Sequence, residues 1–225
     1  MRVERLFGGF ENRAAAGRQL AKALRRYRDQ GDAVVVGLPR GGVVTAAVVA
    51  EELDLPLDVL VVRRLAAPGN EQLAVGAIGP GGVRVLNDDV IALCGVDPLE
   101  IDLIEQRERV ELERRDRLFR GDRRPLDCER KTVILVDDGL ATGSTALAAI
   151  AVLRIQRPAR IVLAVPVAPV ETRDRCLLYV DELVCLATPD PFLAIGYWYD
   201  DFTEVSDEDV IRTLARARGR VGVAA

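Results

Sequence analysis

Two adjacent carboxylates and a short loop of small and hydroxyl residues are the part of this chain best suited to chemistry. Asp137 and Asp138 follow the apolar, mostly β-branched run 133–136, which predicts a buried strand. Residues 139–145 (GLATGST) then lead into 146–150, which predicts a helix. A helix N-terminus and the backbone N–H groups of such a turn attract phosphate, and paired carboxylates accept hydrogen bonds from vicinal hydroxyls. The pattern therefore predicts a site for a phosphorylated ribose.

The same residues also have a plainer structural explanation. Acid pairs at strand ends often only cap turns, and Gly-Ser-Thr turns are common before helices. The loop is not a nucleotide-binding P-loop, because Gly139 and Gly143 are too close together and no lysine precedes Ser144. The fixed order of strand, acid pair, turn and helix favours the functional interpretation.

A second candidate anion site follows the apolar run 33–38, which predicts another buried strand. Arg40 can bind phosphate through two hydrogen bonds, and Gly41 and Gly42 let the backbone approach a charged oxygen closely. Ligands of open α/β sheets gather at the carboxyl ends of the strands, where the acid pair is also expected. The alternative is an ordinary turn between a strand and a helix.

Composition limits the classes of function. A chain of 225 residues suits one α/β domain, and a net charge of −4 disfavours a nucleic-acid partner. Histidine is absent, which excludes histidine-based triads and most zinc catalysis. The four cysteines show no paired spacing, which indicates free thiols. With no signal peptide and no apolar run long enough to span a membrane, we expect a cytoplasmic protein.

Periodicity and turn residues predict alternating strands and helices in one domain, 1–225, around a mostly parallel sheet. The predicted strands are 33–38, 57–62, 132–137, 160–165 and 182–187, and the predicted helices are 12–27, 43–53, 97–119, 144–155, 170–178 and a short one capped by Ser206. Residues 65–86 contain two weak strands, 74–78 and 83–86, and are expected to form a hairpin or mobile flap. Residues 219–225 are expected to be a frayed tail.

Residues 133–145 resemble the 5-phosphoribosyl pyrophosphate (PRPP) signature of type I phosphoribosyltransferases, and the LATGST loop is most similar to the adenine-specific branch. Beyond this signature, nearly the whole chain resembles a bacterial and archaeal group of phosphoribosyltransferases whose acceptors are mostly unassigned. The supporting motifs are Asn12-Arg13 with Ala16-Gly17, and the segments 38–43, 61–65, 67–70 and 196–199. The resemblance implies a phosphoribosyltransferase-type α/β fold, with helices flanking the sheet, a flexible flap (65–86) and a small hood (188–205).

The resemblance also implies roles for the two loops. Asp137 and Asp138 would hold the ribose hydroxyls and stabilise a cationic transition state. The residues that would bind the 5-phosphate are Ala141, Thr142, Gly143, Ser144 and Thr145, and Gly139 is a further candidate substrate-binding residue. Arg40, Gly41 and Gly42 would bind pyrophosphate together with Mg²⁺. Because the family often has a non-proline cis peptide in this loop, we predict one between Pro39 and Arg40.

The flap and the hood supply the remaining implied residues. One or both of Arg63 and Arg64, at the position of the family's catalytic loop, would neutralise the departing pyrophosphate, although a solvated strand end is the alternative. Glu71 on the flap is a candidate acid or base. Phe192 would stack on the acceptor, and Asp200 would approach the metal together with Asp137. Tyr197 and Trp198 are more readily explained by packing against the sheet edge.

These inferences predict transfer of the 5-phosphoribosyl group from PRPP to a nucleobase-like or amine nitrogen, with release of pyrophosphate, by a homodimer. Ala141 stands where oxopurine and orotate enzymes carry an acid, and the segment 165–169 lacks the lysine that reads a 6-oxo group. Hypoxanthine-guanine specificity is therefore disfavoured, and the acceptor stays open. A PRPP-binding regulator without transferase activity is the alternative, and a metal-dependent phosphatase or nucleotide hydrolase is a third, weaker hypothesis.

Overall fold

A parallel five-stranded sheet forms the centre of the molecule in the computed structural model, which describes residues 9–125 and 127–221 without the side chains of 71, 72 and 218–221. The strands are β1 (Ala33–Gly37), β2 (Leu57–Val59), β3 (Arg63–Ala67), β4 (Asn70–Ile78), β5 (Arg84–Leu86), β6 (Thr132–Val136), β7 (Arg160–Val167) and β8 (Glu182–Ala187). The helices are α1 (Arg13–Ala23), α2 (Gly41–Leu53), α3 (Asp88–Cys94), α4 (Pro98–Arg120), α5 (Ser144–Ile155), α6 (Val170–Leu177) and α7 (Asp207–Val221). In the central sheet the order is β2-β1-β6-β7-β8, which confirms the predicted α/β class.

Successive residues of each central strand enter two different cores, because side chains alternate between the faces of a sheet. Ile134 and Val136 of β6 pack with α1 and α2, whereas Val133 and Leu135 pack with α5. All five residues of β6 are buried. Helices therefore cover both faces of the sheet, and the carboxyl end of β6 is held rigidly between β1 and β7.

Local capping explains where several helices begin. The Asn12 side chain accepts a hydrogen bond from the Ala15 amide and starts α1, as its sequence predicts. Asp97 and Glu100 form a capping box at the start of α4, as predicted. Ser206 and Asp209 exchange the equivalent bonds before α7. Helix α7 continues to Val221, so it includes the first three residues of the segment 219–225 that is expected to be a frayed tail, and 222–225 lie outside the described residues.

The segment predicted as a hairpin or mobile flap is a three-stranded antiparallel sheet, β3-β4-β5. Leu65, Val75 and Ile78 are buried with Leu112 and Phe119 of α4. The predicted strand 57–62 extends three residues beyond β2, because residues 60–62 are apolar as well. Strand β3 was not predicted, because Arg63 and Arg64 interrupt the apolar pattern where the second sheet begins. This segment is therefore anchored to the core of the protein rather than free of it.

Among the described residues, no helix is both long enough and apolar enough to cross a membrane.

Candidate active site

The acid pair and the Arg40 loop meet at the carboxyl ends of β6 and β1. The Leu38 amide donates to the carbonyl of Val136 at 3.0 Å, which joins the two strand ends. A Cβ built on Gly41 would lie 1.9 Å from Asp138 Oδ2, and one built on Gly42 would lie 2.7 Å from Asp137 Oδ1. Contacts below 3.0 Å are essentially never made by real Cβ atoms. Both glycines are therefore required by the space that the two carboxylates occupy.

The Arg40 loop has the backbone that the resemblance implies. The peptide between Pro39 and Arg40 is cis, which confirms that prediction. Arg40 is the residue before the first turn of α2, so the N-terminus of this helix faces the acid pair. The Arg40 guanidinium forms an ion pair with Glu204, whose side chain is 80% exposed.

The second loop runs from the acid pair to α5. Gly143 precedes the helix with a left-handed φ of 70° and has no side chain with which to cap it. The hydroxyls of Thr142 and Ser144 lie 2.8 Å apart, and Ala141, Thr142 and Thr145 are exposed. The Ser144 amide donates to Thr142 Oγ1 at a long 3.4 Å. A helix N-terminus without a side-chain cap from its preceding residue, bordered by exposed hydroxyls, is a suitable site for a phosphate.

Helix α6 contacts this second loop and holds it through hydrogen bonds. The Thr172 hydroxyl donates to the Ala141 carbonyl at 2.8 Å, and the Arg175 guanidinium donates to the Thr142 carbonyl. A Cβ on Gly143 would lie 2.8 Å from Thr172 Cγ2, so the loop and α6 are in close contact. The loop is thus held in place by residues that the sequence analysis did not identify.

Arg13 is the principal site residue that sequence reasoning missed. Its Nε donates to Asp138 Oδ2 at 2.7 Å, and only 11% of its side chain and 13% of that of Asp138 are exposed. Its Nη1 donates to the Thr203 carbonyl at 2.8 Å, and its guanidinium carbon lies 3.8 Å from the centre of the Phe202 ring. The Asn12-Arg13 motif was the available signal, but nothing local links it to an acid 125 residues away.

The two acids have different electrostatic surroundings. Burial raises the pKa of Asp137 well above its usual range, the charge of Asp138 raises it further, and Arg13 opposes the shift. Asp137 Oδ1 also accepts the Asp138 amide at 2.9 Å. The Tyr199 hydroxyl donates to the Asp138 carbonyl at 2.6 Å, and burial raises the pKa of this tyrosine. The pair is therefore asymmetric, because the Asp138 carboxylate forms an ion pair with Arg13 whereas burial disfavours the charged form of Asp137.

The two arginines at the start of β3 lie on different faces of the strand. Arg63 Nε donates to Glu108 Oε2 of α4 at 2.6 Å, and both side chains are partly buried. Since alternate residues of a strand lie on opposite faces, Arg64 lies on the side away from α4. The backbone of Glu71 belongs to β4, but its side chain lies outside the described residues.

The hood residues lie beside the same sheet edge. Phe192 is partly buried and packs against the cluster of Phe10, Ala16, Val167 and Tyr199. Trp198 also packs there, whereas the Tyr197 side chain is 60% exposed. The exposed Asp200 donates its amide to the Phe10 carbonyl at 2.8 Å. Among the described residues, no group of three or more His, Cys, Asp or Glu side chains could hold a metal, so an all-protein metal cage is not formed there.

Comparison with known proteins identifies the family. The family model described as "Phosphoribosyl transferase domain" matches residues 10–197. This chain belongs to the phosphoribosyltransferase family. Two strains of Mycobacterium tuberculosis have a relative, provisionally named a phosphoribosyl transferase, that is 48% identical over 209 residues, which make up 92% of this chain and 47% of the relative. The chain therefore spans about half the length of these curated relatives.

Two solved structures share the fold of this chain. The crystal structure of TT1426 from Thermus thermophilus has a TM-score of 0.86 at 41% identity, covering 92% of this chain and 98% of that one. A hypoxanthine phosphoribosyltransferase from Staphylococcus aureus has a TM-score of 0.50 at 14% identity, covering 91% and 87%, which is evidence for the phosphoribosyltransferase fold alone. The fold class expected from the sequence is thereby confirmed.

Proposed function

We propose that this chain transfers the 5-phosphoribosyl group of PRPP to a nitrogen nucleophile and releases pyrophosphate. The observation that carries the proposal is the order of three groups along the carboxyl edge of the sheet: the Arg40 loop, the acid pair and the loop before α5. PRPP carries pyrophosphate at C1, hydroxyls at C2 and C3, and phosphate at C5. The chain thus offers a matching partner for each part of this substrate.

Each group has a defined task in the proposed reaction. The loop from Ala141 to Thr145 binds the 5-phosphate through its amides and hydroxyls. Arg40 and the amides at the start of α2 bind the pyrophosphate. The C1–O bond to pyrophosphate breaks as the acceptor nitrogen bonds to C1, which gives the ribose an oxocarbenium-like transition state. The carboxylates of Asp137 and Asp138 accept the ribose hydroxyls and oppose the developing positive charge.

Magnesium fits this donor set as an ion held largely by the substrate. Mg²⁺ keeps several waters and usually binds through one or two carboxylates plus substrate phosphates. Asp137 offers one carboxylate at the sheet edge, and Asp200 offers an exposed one in the hood. When bound, the ion would neutralise charge on the departing pyrophosphate. Asp137 and Asp200 remain the proposed protein ligands.

The residues around the site favour a chemical class of acceptor. Ala141 supplies no general base, and the segment 165–169, buried for residues 165–168, carries no lysine. An adenine-like base, another heteroaromatic base or an amine fits these features better than a 6-oxopurine. Phe192 is the proposed stacking residue. Arg64 is the proposed cation for the leaving group, because it lies on the face of β3 opposite to α4.

A PRPP-binding regulator is the second candidate. The ion pair between Arg63 and Glu108 favours it, because a flap arginine bound to α4 is not available to the pyrophosphate. The loop also lacks a general base at Ala141. A regulator would bind PRPP saturably and release no pyrophosphate with any acceptor.

One set of measurements tests both candidates. Calorimetry with PRPP and Mg²⁺ measures binding, and a pyrophosphate assay screens bases and amines as acceptors. Asp138→Asn should lower turnover roughly tenfold or more, since a charge facing the transition state is lost. Asp122→Asn is the matched control, because Asp122 is exposed and lies away from the acid pair. Absence of PRPP binding to the unaltered protein would refute both candidates, and binding without release would leave the regulator.

A further inference from the structure

Arg13 connects three separate parts of the chain at the acid pair. It begins α1, it bonds to Asp138 at the end of β6, and it contacts Phe202 and Thr203 in the segment before α7. A Cβ on Gly41 would lie 2.8 Å from Arg13 Nε, so the guanidinium also lies against the Arg40 loop. These contacts distinguish the pair of Arg13 and Asp138 from an ordinary ion pair on the protein surface.

The contacts of Asp138 leave one oxygen available. Its amide donates to Asp137, its carbonyl accepts from Tyr199, and its Oδ2 accepts from Arg13. No backbone amide and no arginine donates to Oδ1 among the described residues, and the side chain that interacts with this carboxylate besides Arg13 is the neighbouring carboxyl of Asp137. The bond from Arg13 to Oδ2 therefore determines the direction in which Oδ1 points.

We propose that Arg13 is a positioning residue that fixes the Asp138 carboxylate so that Oδ1 is directed to a ribose hydroxyl of PRPP. This inference rests on the proposed function, and Arg13 itself does not touch the substrate in it. The planar guanidinium holds its own orientation through the Phe202 ring and the Thr203 carbonyl, so the carboxylate is held in one direction. An error of about 1 Å in such a group can cost about a hundredfold in rate.

The test is a double-mutant cycle on PRPP binding. Arg13→Gln and Asp138→Asn should each weaken the binding of PRPP with Mg²⁺ about tenfold, the loss expected for a charge-assisted hydrogen bond. The double variant should be no weaker than Asp138→Asn alone, because Arg13 acts only through that carboxylate. Arg18→Gln is the matched control, since Arg18 lies on the same helix and is exposed.

Two further variants separate positioning from simple support of the fold. Arg13→Lys keeps the charge but loses the planar contacts, so it should recover only part of the affinity. Phe202→Leu keeps the ion pair and removes the ring, so it should weaken PRPP binding by less than Arg13→Gln. If Arg13→Gln does not fold, the cycle is run with Arg13→Lys and the same non-additivity is required.

The outcomes distinguish the two proposals. If Asp138→Asn binds PRPP normally, the proposed function is wrong in its assignment of the acid pair. If Asp138→Asn weakens binding while Arg13→Gln does not, or the two losses add fully, only the role of Arg13 is overturned. Non-additive losses with partial recovery by lysine support it.

Discussion

Replacing Gly41 with alanine should disturb the geometry of the site more than the stability of the fold. In Gly41→Ala the new Cβ would lie 1.9 Å from Asp138 Oδ2 and 2.8 Å from Arg13 Nε. Both partners are side chains, so relief requires the carboxylate to move by roughly 1 Å, since a real Cβ keeps about 3 Å from its neighbours. A displacement of that size at a catalytic group can cost about a hundredfold. We therefore expect PRPP binding and turnover to fall much more than stability.

Gly42→Ala should disturb the stability of the fold as well, because its added methyl group would contact backbone atoms. Its Cβ would lie 2.8 Å from the Asp137 Cα and 2.9 Å from the Val136 carbonyl, and this backbone cannot rotate away. Overpacking of this kind typically costs about 1–3 kcal/mol. For a chain of this size each kcal/mol lowers the melting temperature by about 2–4 °C. Gly42→Ala should therefore lose stability as well as PRPP binding.

Gly31→Ala is the matched control for both variants, because nothing lies within 4 Å of the position that its Cβ would take and its φ is not left-handed. Urea denaturation would measure stability, and calorimetry would measure PRPP affinity. The steric reasoning is refuted if Gly41→Ala binds PRPP as well as Gly31→Ala does, or if Gly41→Ala is destabilised more than Gly42→Ala.

Three further predictions concern the neighbours of the site. Glu204→Gln should strengthen PRPP binding, measured by calorimetry, by about 1.5- to 5-fold. In the unaltered protein PRPP must compete with Glu204 for Arg40, and an exposed ion pair of this kind is worth about 0.2–1 kcal/mol. Thr172→Val should lower the free energy of unfolding by about 0.5–1.5 kcal/mol and weaken PRPP binding, because it removes the hydrogen bond to the Ala141 carbonyl. Asp137→Asn should raise the melting temperature, and the gain should grow as pH rises. The raised pKa of Asp137 means that the folded state binds its proton more tightly than the unfolded state, so stability is lost between the ordinary pKa of an aspartate and the raised one.

Each of these predictions has a contrary result. Unchanged affinity in Glu204→Gln would mean that Arg40 does not bind PRPP or is not restrained by that pair. Normal binding in Thr172→Val would show that α6 does not hold the loop. A melting temperature of Asp137→Asn that tracks the unaltered protein at every pH would show that Asp137 carries no electrostatic cost. Glu208→Gln is a suitable control, since Glu208 is exposed on α7, away from the acid pair.

The sequence predicted the loops of the site because each is encoded by consecutive residues. A buried strand, two acids, a glycine-hydroxyl turn and a helix follow each other from 133 to 150, and local propensity alone orders them. Arg13, Thr172 and Arg175 could not be predicted as site residues, because each reaches the site through the tertiary fold. Periodicity shows which face of a helix is apolar, but not which distant carboxylate a helix terminus will meet.

The flap shows a different limit. The sequence of its strands shows no clear alternation of apolar and polar residues, because the strands contact α4 and α5 as well as each other. Arg63 looked like a residue at a solvated strand end, yet it is bound to Glu108. Exposure of a charged side chain depends on which helix crosses it, and a single sequence does not encode that directly.

The structure also bears on the plainest explanation of the acid pair, that it only caps a turn. Asp137 fits that explanation in part, since it accepts the Asp138 amide. Asp138 does not, because its carboxylate bonds to an arginine 125 residues away and caps no backbone group among the described residues. A turn could be capped by one acid without a second charge beside it, and the charge of Asp138 adds to the burial that raises the pKa of Asp137. Two glycines at the start of α2 leave room for both carboxylates, where alanine would have excluded them. An arrangement that costs stability and needs support from three other elements is better explained by a ligand that uses both acids than by the turn itself.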